Sequence, residues 1–563
     1  MLHMDGPLLT VDVSDRSVET TDIDDVLEEF IGGRGVNVRL AHERVPFDAD
    51  PLGPANSLFL STGPVQASVM SFTGRASATA VSPLTDGLAS SNAGGYLSRP
   101  LGNTGYAAVE ITGSSDELLA VHVSDEGVTF EAVPALAGAT VTETGEYMEE
   151  RGYGPEQIAC IGPAGENLVR FASIMTFEHR AFGRGGLGAV LGAKTVKCVT
   201  FEGDSPPEID VDPAVAKTVT REAATSDNIM KRQGTAFETE WVNDEFSLPT
   251  KYFERTSFDE GVDGISGDRV EEKKYRKGTC SQCAFACKLP TRDGDSGLET
   301  EGPEFETVFA FGSNPMIDDI VSVMKSNDLC DDLGLDTIST GVVVSAYVAA
   351  HKEWGNSDLV HDLVGKIARR EGVGDTLAEG IDRCHDDLGV ENWSVKGLEF
   401  PAHDGRHLHG LALSYCVANR GADHMYSAMN IYDYFQADEP ATTEGKAEVL
   451  PEAENQKAVN DSAVFCRFSR GHVLESWDGE DHRDRYTALL DADYETLMTV
   501  GSRIVELERH FNNKRGYDRA DDTVPYVDDI DGIESAIDEY YRNRGWTENG
   551  TVPDEAVATD TQV

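Results

Sequence analysis

A chain of 563 residues with 100 Asp and Glu against 47 Lys and Arg carries a formal charge of −53. Its first lysine is Lys194, and since a nucleic-acid surface needs clustered Lys and Arg, this charge balance rules out nucleic acid as the default partner. The 40% hydrophobic fraction and 55 glycines exclude a disordered acidic polymer, and the length predicts about two to four domains.

The first two hundred residues are rich in Gly, Ser, Thr and Val. Short apolar runs bounded by glycines predict strands at 58–61, 107–111 and 196–200. From about Ile209 the period changes. Ile317, Ile320, Val321 and Met324 recur at helical spacing, as do Leu359, Leu363 and Ile367, and later Ile504, Leu507 and Phe511. The reading is an α+β chain with a sheet-rich N-terminal domain at 1–205, a helical domain at 206–400 and a helical C-terminal domain at 401–563. The Pro- and acid-rich stretch 204–213 marks the first boundary, and Phe400-Pro401 a softer second one. Residues 554–563 read as a frayed tail.

Arginines outnumber lysines 31 to 16, and acidic runs such as Asp22-Ile23-Asp24-Asp25 and Asp528-Asp529-Ile530-Asp531 look like surface dressing. High salt shortens the Debye length from about 10 Å at 0.1 M to about 3 Å at 1 M, which makes such self-repulsion tolerable. The reading is a halophile's cytoplasmic protein, against the alternative of an acidic mesophilic enzyme. No basic N-terminal region precedes an apolar run, and no stretch approaches the roughly 18 apolar residues of a membrane helix.

Nine cysteines, an odd number, do not suggest a disulfide framework in so long a chain. The strongest local signal is Cys280-Ser281-Gln282-Cys283-Ala284-Phe285-Ala286-Cys287. Three thiolates this close can wrap one side of a sulfur-loving metal centre and leave a fourth position for a distant ligand. A 4Fe-4S cubane suits that arrangement best, since no second Cys or His pair follows at the spacing of a zinc finger; a zinc site and plain buried thiols stay open as alternatives. Candidates for the fourth ligand are Cys330, Cys416 and Cys466. After Cys330 comes Asp331-Asp332-Leu333-Gly334-Leu335-Asp336, and the related Asp461-Ser462-Ala463-Val464-Phe465 precedes Cys466. Gly334 suits a helix C-terminus and Asp336 the N-cap of the next helix.

The triplet, the two hexapeptides and their order resemble the aldehyde ferredoxin oxidoreductase family of tungsten enzymes. So do the stretches 161–169, 180–188, Gly302-Pro303-Glu304-Phe305-Glu306-Thr307 and Asn419-Arg420-Gly421-Ala422-Asp423-His424. The resemblance runs from about residue 8 to about residue 547. It implies a cofactor at the interface of a sheet-rich domain and two helical ones. That cofactor is one tungsten held by the dithiolene sulfurs of two pterins, with molybdenum the alternative metal, beside a 4Fe-4S cluster. By this match Cys280, Cys283, Cys287 and Cys466 ligate the cluster. Arg75, Asn92, Gly94, Arg180, Ala181, Gly183 and Arg184 contact the pterins or a magnesium ion bridging their phosphates. Asp331, Leu335 and Asp336 hold one pterin, Asp461 and Phe465 the other, and Asn419 and Arg420 add further cofactor contacts. Glu306 matches the family's active-site glutamate and His424 its active-site histidine.

Some positions depart from the family. Val464-Phe465 stands where a Gly-Leu is frequent, and Tyr426 where some members carry a lysine. Lys325 replaces a glutamate that, with a histidine such as His361, binds an intersubunit metal in some members. His403, His407 and His409 invite a metal reading, since His407 and His409 are spaced to share one strand face, but they are read as pocket lining or polar surface because no carboxylate completes a recognisable site in the sequence. The implied activity is oxidation of an aldehyde to a carboxylic acid, with electrons passed singly to ferredoxin, no membrane or nucleic-acid partner, and a homodimer left open. A tungsten reductase of aromatic acyl-CoA thioesters and a non-catalytic electron-transfer subunit are the alternatives. Since the ferredoxin of such a cell is expected to be acidic too, the encounter should depend on salt.

Overall fold

The computed structural model describes residues 1–176, 179–473 and 482–557. Twelve strands form two sheets. The first contains β1 (Leu8–Asp12), β2 (Ser17–Thr21), β3 (Leu58–Ser61), β4 (Ala76–Val81), β5 (Leu88–Ala93) and β6 (Ala108–Thr112), in the order β2-β1-β6-β3-β4-β5. The second contains β7 (Leu119–Ser124), β8 (Gly127–Ala132), β9 (Ile158–Cys160), β10 (Ile174–Thr176), β11 (Arg180–Phe182) and β12 (Val196–Glu202), in the order β11-β10-β9-β12-β7-β8. Only β1 with β6 and β7 with β12 pair in parallel; the other named pairs are antiparallel.

Side-chain alternation explains the layering. Leu9, Val11, Leu58, Leu60, Val109 and Ile111 of the first sheet meet Leu119, Val121, Val123, Val199 and Phe201 of the second. Leu8 and Phe59, one residue out of phase, join Val36 and Leu40 of the helix Gly33–Arg44 in a second core. With both faces covered, the first sheet is a rigid base for whatever its strand ends carry.

From Pro213 onward the described chain is mainly helical. The helices Lys446–Ala463 and Tyr494–Lys514 cross closely, since a Cβ at Gly501 would stand 2.2 Å from the Asn455 carbonyl oxygen. Two N-terminal glycines seat against the end of the first of these helices. A Cβ at Gly33, whose φ is +40°, would come 2.4 Å from Asp461 O, and one at Gly63 2.4 Å from Ser462 O. The N-terminal domain therefore touches the second hexapeptide backbone to backbone. A buried ion pair locks the junction: Arg34 donates from Nε to Glu508 Oε1 at 2.8 Å and from Nη2 to Oε2 at 2.7 Å, both side chains 1% exposed.

The helix Ile320–Leu333 ends at Gly334 with φ +77°, and Asp336 caps the helix Thr337–His351 by accepting from the Ile338 and Ser339 N–H groups. Other expectations need correction. Ile317 lies before its helix, which starts behind the N-cap Asp319. His407 stands in an exposed turn and His409 opens the helix His409–Val417, so they share no strand. The tail is not frayed over Asp554–Val557, a short helix whose Asp554 accepts from Lys514 Nζ at 2.8 Å; 558–563 lie outside the described residues. Among the described residues no helix is long and apolar enough to cross a membrane.

Candidate active site

A cavity of about 460 Å³ opens where the ends of both sheets meet the helical part. Glu306 enters it from the short helix Phe305–Val308, just after Gly302-Pro303. Its Oε2 accepts from the Ala402 N–H at 2.8 Å, while Oε1 is buried without a hydrogen-bond partner, 3.4 Å from His424 Nε2. Burial pushes Glu306 up to about 7, against the opposing Ala402 N–H and Arg184. Burial likewise pushes His424 down to about 4; Asp423 opposes this, and Arg184, Arg467 and Arg420 reinforce it. The pair is a carboxyl poised near neutrality beside a neutral imidazole.

Two more groups complete this end of the cavity. His403 packs edge-on to His424 with ring centroids 5.2 Å apart, and its Nδ1 lies 3.4 Å from the Tyr434 hydroxyl. Glu238, the first residue of the helix Glu238–Asp244, brings Oε2 to 3.7 Å from His403 Nε2. Burial, with Glu306 and Glu304 nearby, pushes Glu238 up to about 8. Ligand atoms of Glu306, His403 and His424 lie within 4.8 Å of one another.

The cavity wall also carries cations. Arg180 is held by Glu301 at 2.7 Å and Glu304 at 3.3 Å. Arg184 donates to the carbonyl oxygens of Ala422 at 3.0 Å and Glu399 at 2.5 Å, with Asp336 3.5 Å from its Nε. Arg420 pairs with Asp423 and donates to Ser90 O. Deeper in, burial and the neighbours Arg467 and Arg470 push the Lys457 ammonium well below its ordinary value, with only Asp461 opposing. Asn92 Oδ1, Arg420 Nε and Arg467 Nη1 are buried without partners. Desolvated cations and orphaned polar atoms call for an anionic, hydrogen-bonding occupant.

Beside this wall a smaller cavity is lined by Cys280, Cys283, Cys287 and Cys466 together with Phe72, Gly74, Arg75, Gly94, Ala286 and Phe468. A Cβ at Gly94 would touch Cys280 Sγ at 3.4 Å, and the Gly95 N–H donates to that sulfur at 3.3 Å. Burial pushes the Cys287 thiol well up, with Cys466 and Cys280 adding to it. Four thiols thus face one space. Cys330 and Cys416, the other candidates for the fourth position, are fully buried elsewhere. Arg75 joins the two spaces: it lines both, Nη1 lying 3.8 Å from Cys466 Sγ and Nη2 donating to Asn92 O at 3.1 Å.

Residues 8–203 match the family model "Aldehyde ferredoxin oxidoreductase, N-terminal domain", and residues 214–559 match the model for domains 2 and 3 of the same enzyme. The chain belongs to the aldehyde ferredoxin oxidoreductase family. It is 33% identical to a tungsten-containing aldehyde ferredoxin oxidoreductase of Pyrococcus furiosus, across 98% of this chain and 97% of the relative. Identity to the one from Thermococcus kodakarensis is 32%, with the same coverage. Among solved structures, the active-site complex BamBC of benzoyl coenzyme A reductase with 1,5-dienoyl-CoA superposes with a TM-score of 0.83 at 21% identity, covering 99% of this chain and 97% of that one. That likeness establishes the shared fold.

Of the positions expected from the family motifs, Arg75, Asn92, Arg180, Gly183, Arg184, Asp336, Arg420 and Asp461 line the large cavity with Glu306 and His424. Gly94 lines the cysteine space. Ala181, Asp331, Leu335, Asn419 and Phe465 are not on the large cavity's wall. Asp331 is buried and accepts from Asn327 Nδ2 at 2.9 Å, Leu335 bridges to Ala172, and Asn419 donates to Val505 O at 2.9 Å. Tyr426, where some family members have lysine, turns its hydroxyl to the Ser90 backbone under the Arg34 guanidinium, 3.6 Å above its ring. Sequence reasoning missed Glu238, Lys457 and Arg467. Only the last had a visible signal, its place next to Cys466.

Proposed function

We propose that this chain oxidises an aldehyde to a carboxylic acid at a bis-pterin tungsten centre and passes the electrons through a 4Fe-4S cluster to ferredoxin. The observation that carries this reading is that the cation-walled cavity adjoins the space of the four thiols, Arg75 lining both and reaching Cys466 Sγ at 3.8 Å. The residues fit the implied groups. Thiols at Cys280, Cys283, Cys287 and Cys466 are the soft donor set an iron-sulfur cluster takes. Arg75, Asn92, Arg180, Arg184, Asp336, Arg420 and Asp461, with Lys457 and Arg467, would hold pterins and their phosphates with forks, donors and acceptors, and magnesium would supply further neutralisation of the phosphates. Molybdenum is the alternative metal. When bound, such a centre supplies the two-electron acceptor that no side chain can provide.

The chain's own groups handle protons and orientation. One aldehyde and one water give a carboxylic acid, two protons and two electrons. Glu306, once deprotonated, takes a proton from the attacking water or the aldehyde hydrate. The neutral His424 imidazole donates a hydrogen bond to the carbonyl oxygen as charge develops there. Burial keeps bulk water from competing. A halophile's cytoplasm is the setting that the surface charge supports. The test is turnover by anaerobically prepared protein: ferredoxin reduction with aldehydes supports this reading, and activity confined to a CoA thioester would replace it with the acyl-CoA reductase alternative.

A further inference from the structure

In a chain where 100 of 563 residues are acidic, residues 273–292 hold six cations and no acid. These twenty residues are the cysteine loop and its base. The base is a narrow antiparallel ribbon, with Lys274 bridged to Thr291 and Gly278 to Lys288, and the thiols lie at its tip. Lys273 and Arg292 are neutralised by Asp293 and Glu299. Arg276 and Lys277 are exposed, and neither is ion-paired among the described residues.

The same rim is apolar. Six large hydrophobic side chains are exposed among the described residues, and three of them, Val69 (70%), Tyr275 (39%) and Ile229 (36%), surround this loop. Arg99 ties the Val69 turn to it, donating to Ser68 O and Ser281 Oγ, each at 2.8 Å, and Ser71 Oγ accepts from the Ala284 N–H at 2.9 Å. Lys274 Nζ donates to Lys231 O at 2.8 Å, which holds the Ile229 turn against the ribbon. All four cysteines are only partly buried. The face nearest the thiols is therefore cationic with an apolar centre, on a protein that is acidic almost everywhere else.

We infer that this rim is the docking surface for an acidic ferredoxin, with Val69 at its apolar centre and Arg276 and Lys277 as its charge contacts. The inference rests on the electron-transfer reading above. Each docking moves one electron, so one aldehyde needs two oxidised carriers. The exposed acidic runs repel an acidic carrier and the rim attracts it, which favours the face nearest the thiols. Molar salt screens the long-range repulsion, while contact pairs closer than the Debye length of about 3 Å persist.

The test is double charge reversal, Arg276→Glu with Lys277→Glu, in the anaerobically loaded enzyme at 1 M salt. Calorimetry gives the Kd for an oxidised acidic ferredoxin, and steady-state kinetics gives KM with ferredoxin and kcat with the uncharged quinone menadione. Both Kd and ferredoxin KM should rise about tenfold or more, with menadione turnover unchanged. Val69→Asp should raise them as well, and Asp528→Lys with Asp529→Lys on the acidic surface should not. An unchanged Kd in the rim variants, or an equal change in the acidic-surface variant, would overturn the docking surface. Absence of aldehyde turnover with menadione in the unaltered enzyme would overturn the functional reading instead, and the calorimetric Kd would still decide the docking.

Discussion

On the outer surface, Asp22, Asp24 and Asp25 stand exposed around a buried Ile23, and Asp528, Asp529 and Asp531 around a buried Ile530. In both runs one apolar side chain anchors a cluster of uncompensated charge. Around the cavity, by contrast, Arg180, Arg184 and Arg420 are buried or nearly so, and each is matched by a carboxylate or carbonyl at hydrogen-bond range. The surface charges are cheap to place and answer to salt; the cavity charges are placed by the fold and are shielded from it. The excess negative charge is thus carried at the surface, while the cavity holds its cations in fixed pairs.

Removing salt is the strongest way to test that contrast. Below about 1 M the surface repulsion should unfold the protein, and a melting temperature tracked against salt should fall steeply. A profile flat down to 0.1 M would mean that the surface acids are paired and the contrast is false.

Within the cavity, Glu306→Gln should keep metal content and cut kcat by about 10²- to 10⁴-fold, the range for a positioned acid-base group. Unchanged turnover would remove Glu306 from the mechanism. The pH dependence follows from its folded value near 7, raised by burial from 4.5. The protonated form is favoured on folding, so that contribution is present below about pH 4.5 and is lost as pH rises through 7. Activity should rise with pH through about 7 as the base form appears. Glu306→Gln, which cannot ionise, should gain melting temperature over the unaltered protein between pH 5 and pH 8.

At the junction between the domains, Glu508→Ala would leave Arg34 buried with Asp461 at 3.4 Å as its remaining carboxylate. Breaking such a pair costs about 3–5 kcal/mol. Measured by denaturant unfolding, the loss should be nearly the same at 1 M and 3 M salt, unlike a surface pair. The smallest effect concerns Val464, a β-branched residue in the left-handed region with φ +63° and only 1% exposed. Val464→Gly would relieve about 1–2 kcal/mol of strain, but loses about 2 kcal/mol of buried side chain and gains chain entropy in the unfolded state. A net destabilisation of about 1 kcal/mol is expected; a stabilised variant would show that strain dominates there.

Much of the fold could be read from local pattern. Glycine-bounded apolar runs gave the β3, β6 and β12 strands, and the Gly334 and Asp336 pair gave a helix end and a helix start because each acts within a few residues of itself. The thiol triplet was equally local, and the family motifs pointed to Cys466 as the fourth. Glu238 and Lys457 were not legible. Each sits in an ordinary helical context: Glu238 is set apart by burial beside Glu304 and Glu306, more than sixty positions away, and Lys457 by burial beside Arg467 and Arg470, which follow its helix and fold back against it. His403 was grouped with His407 and His409 by sequence, but the backbone turns between them and only His403 reaches His424.

The central claim is that one cavity and one ring of thiols hold two linked redox groups. Elemental analysis of anaerobically purified protein tests it most directly. The account predicts tungsten, or molybdenum in its place, with about four irons for each. Zinc alone, with no pterin fluorescence after denaturation, would contradict it.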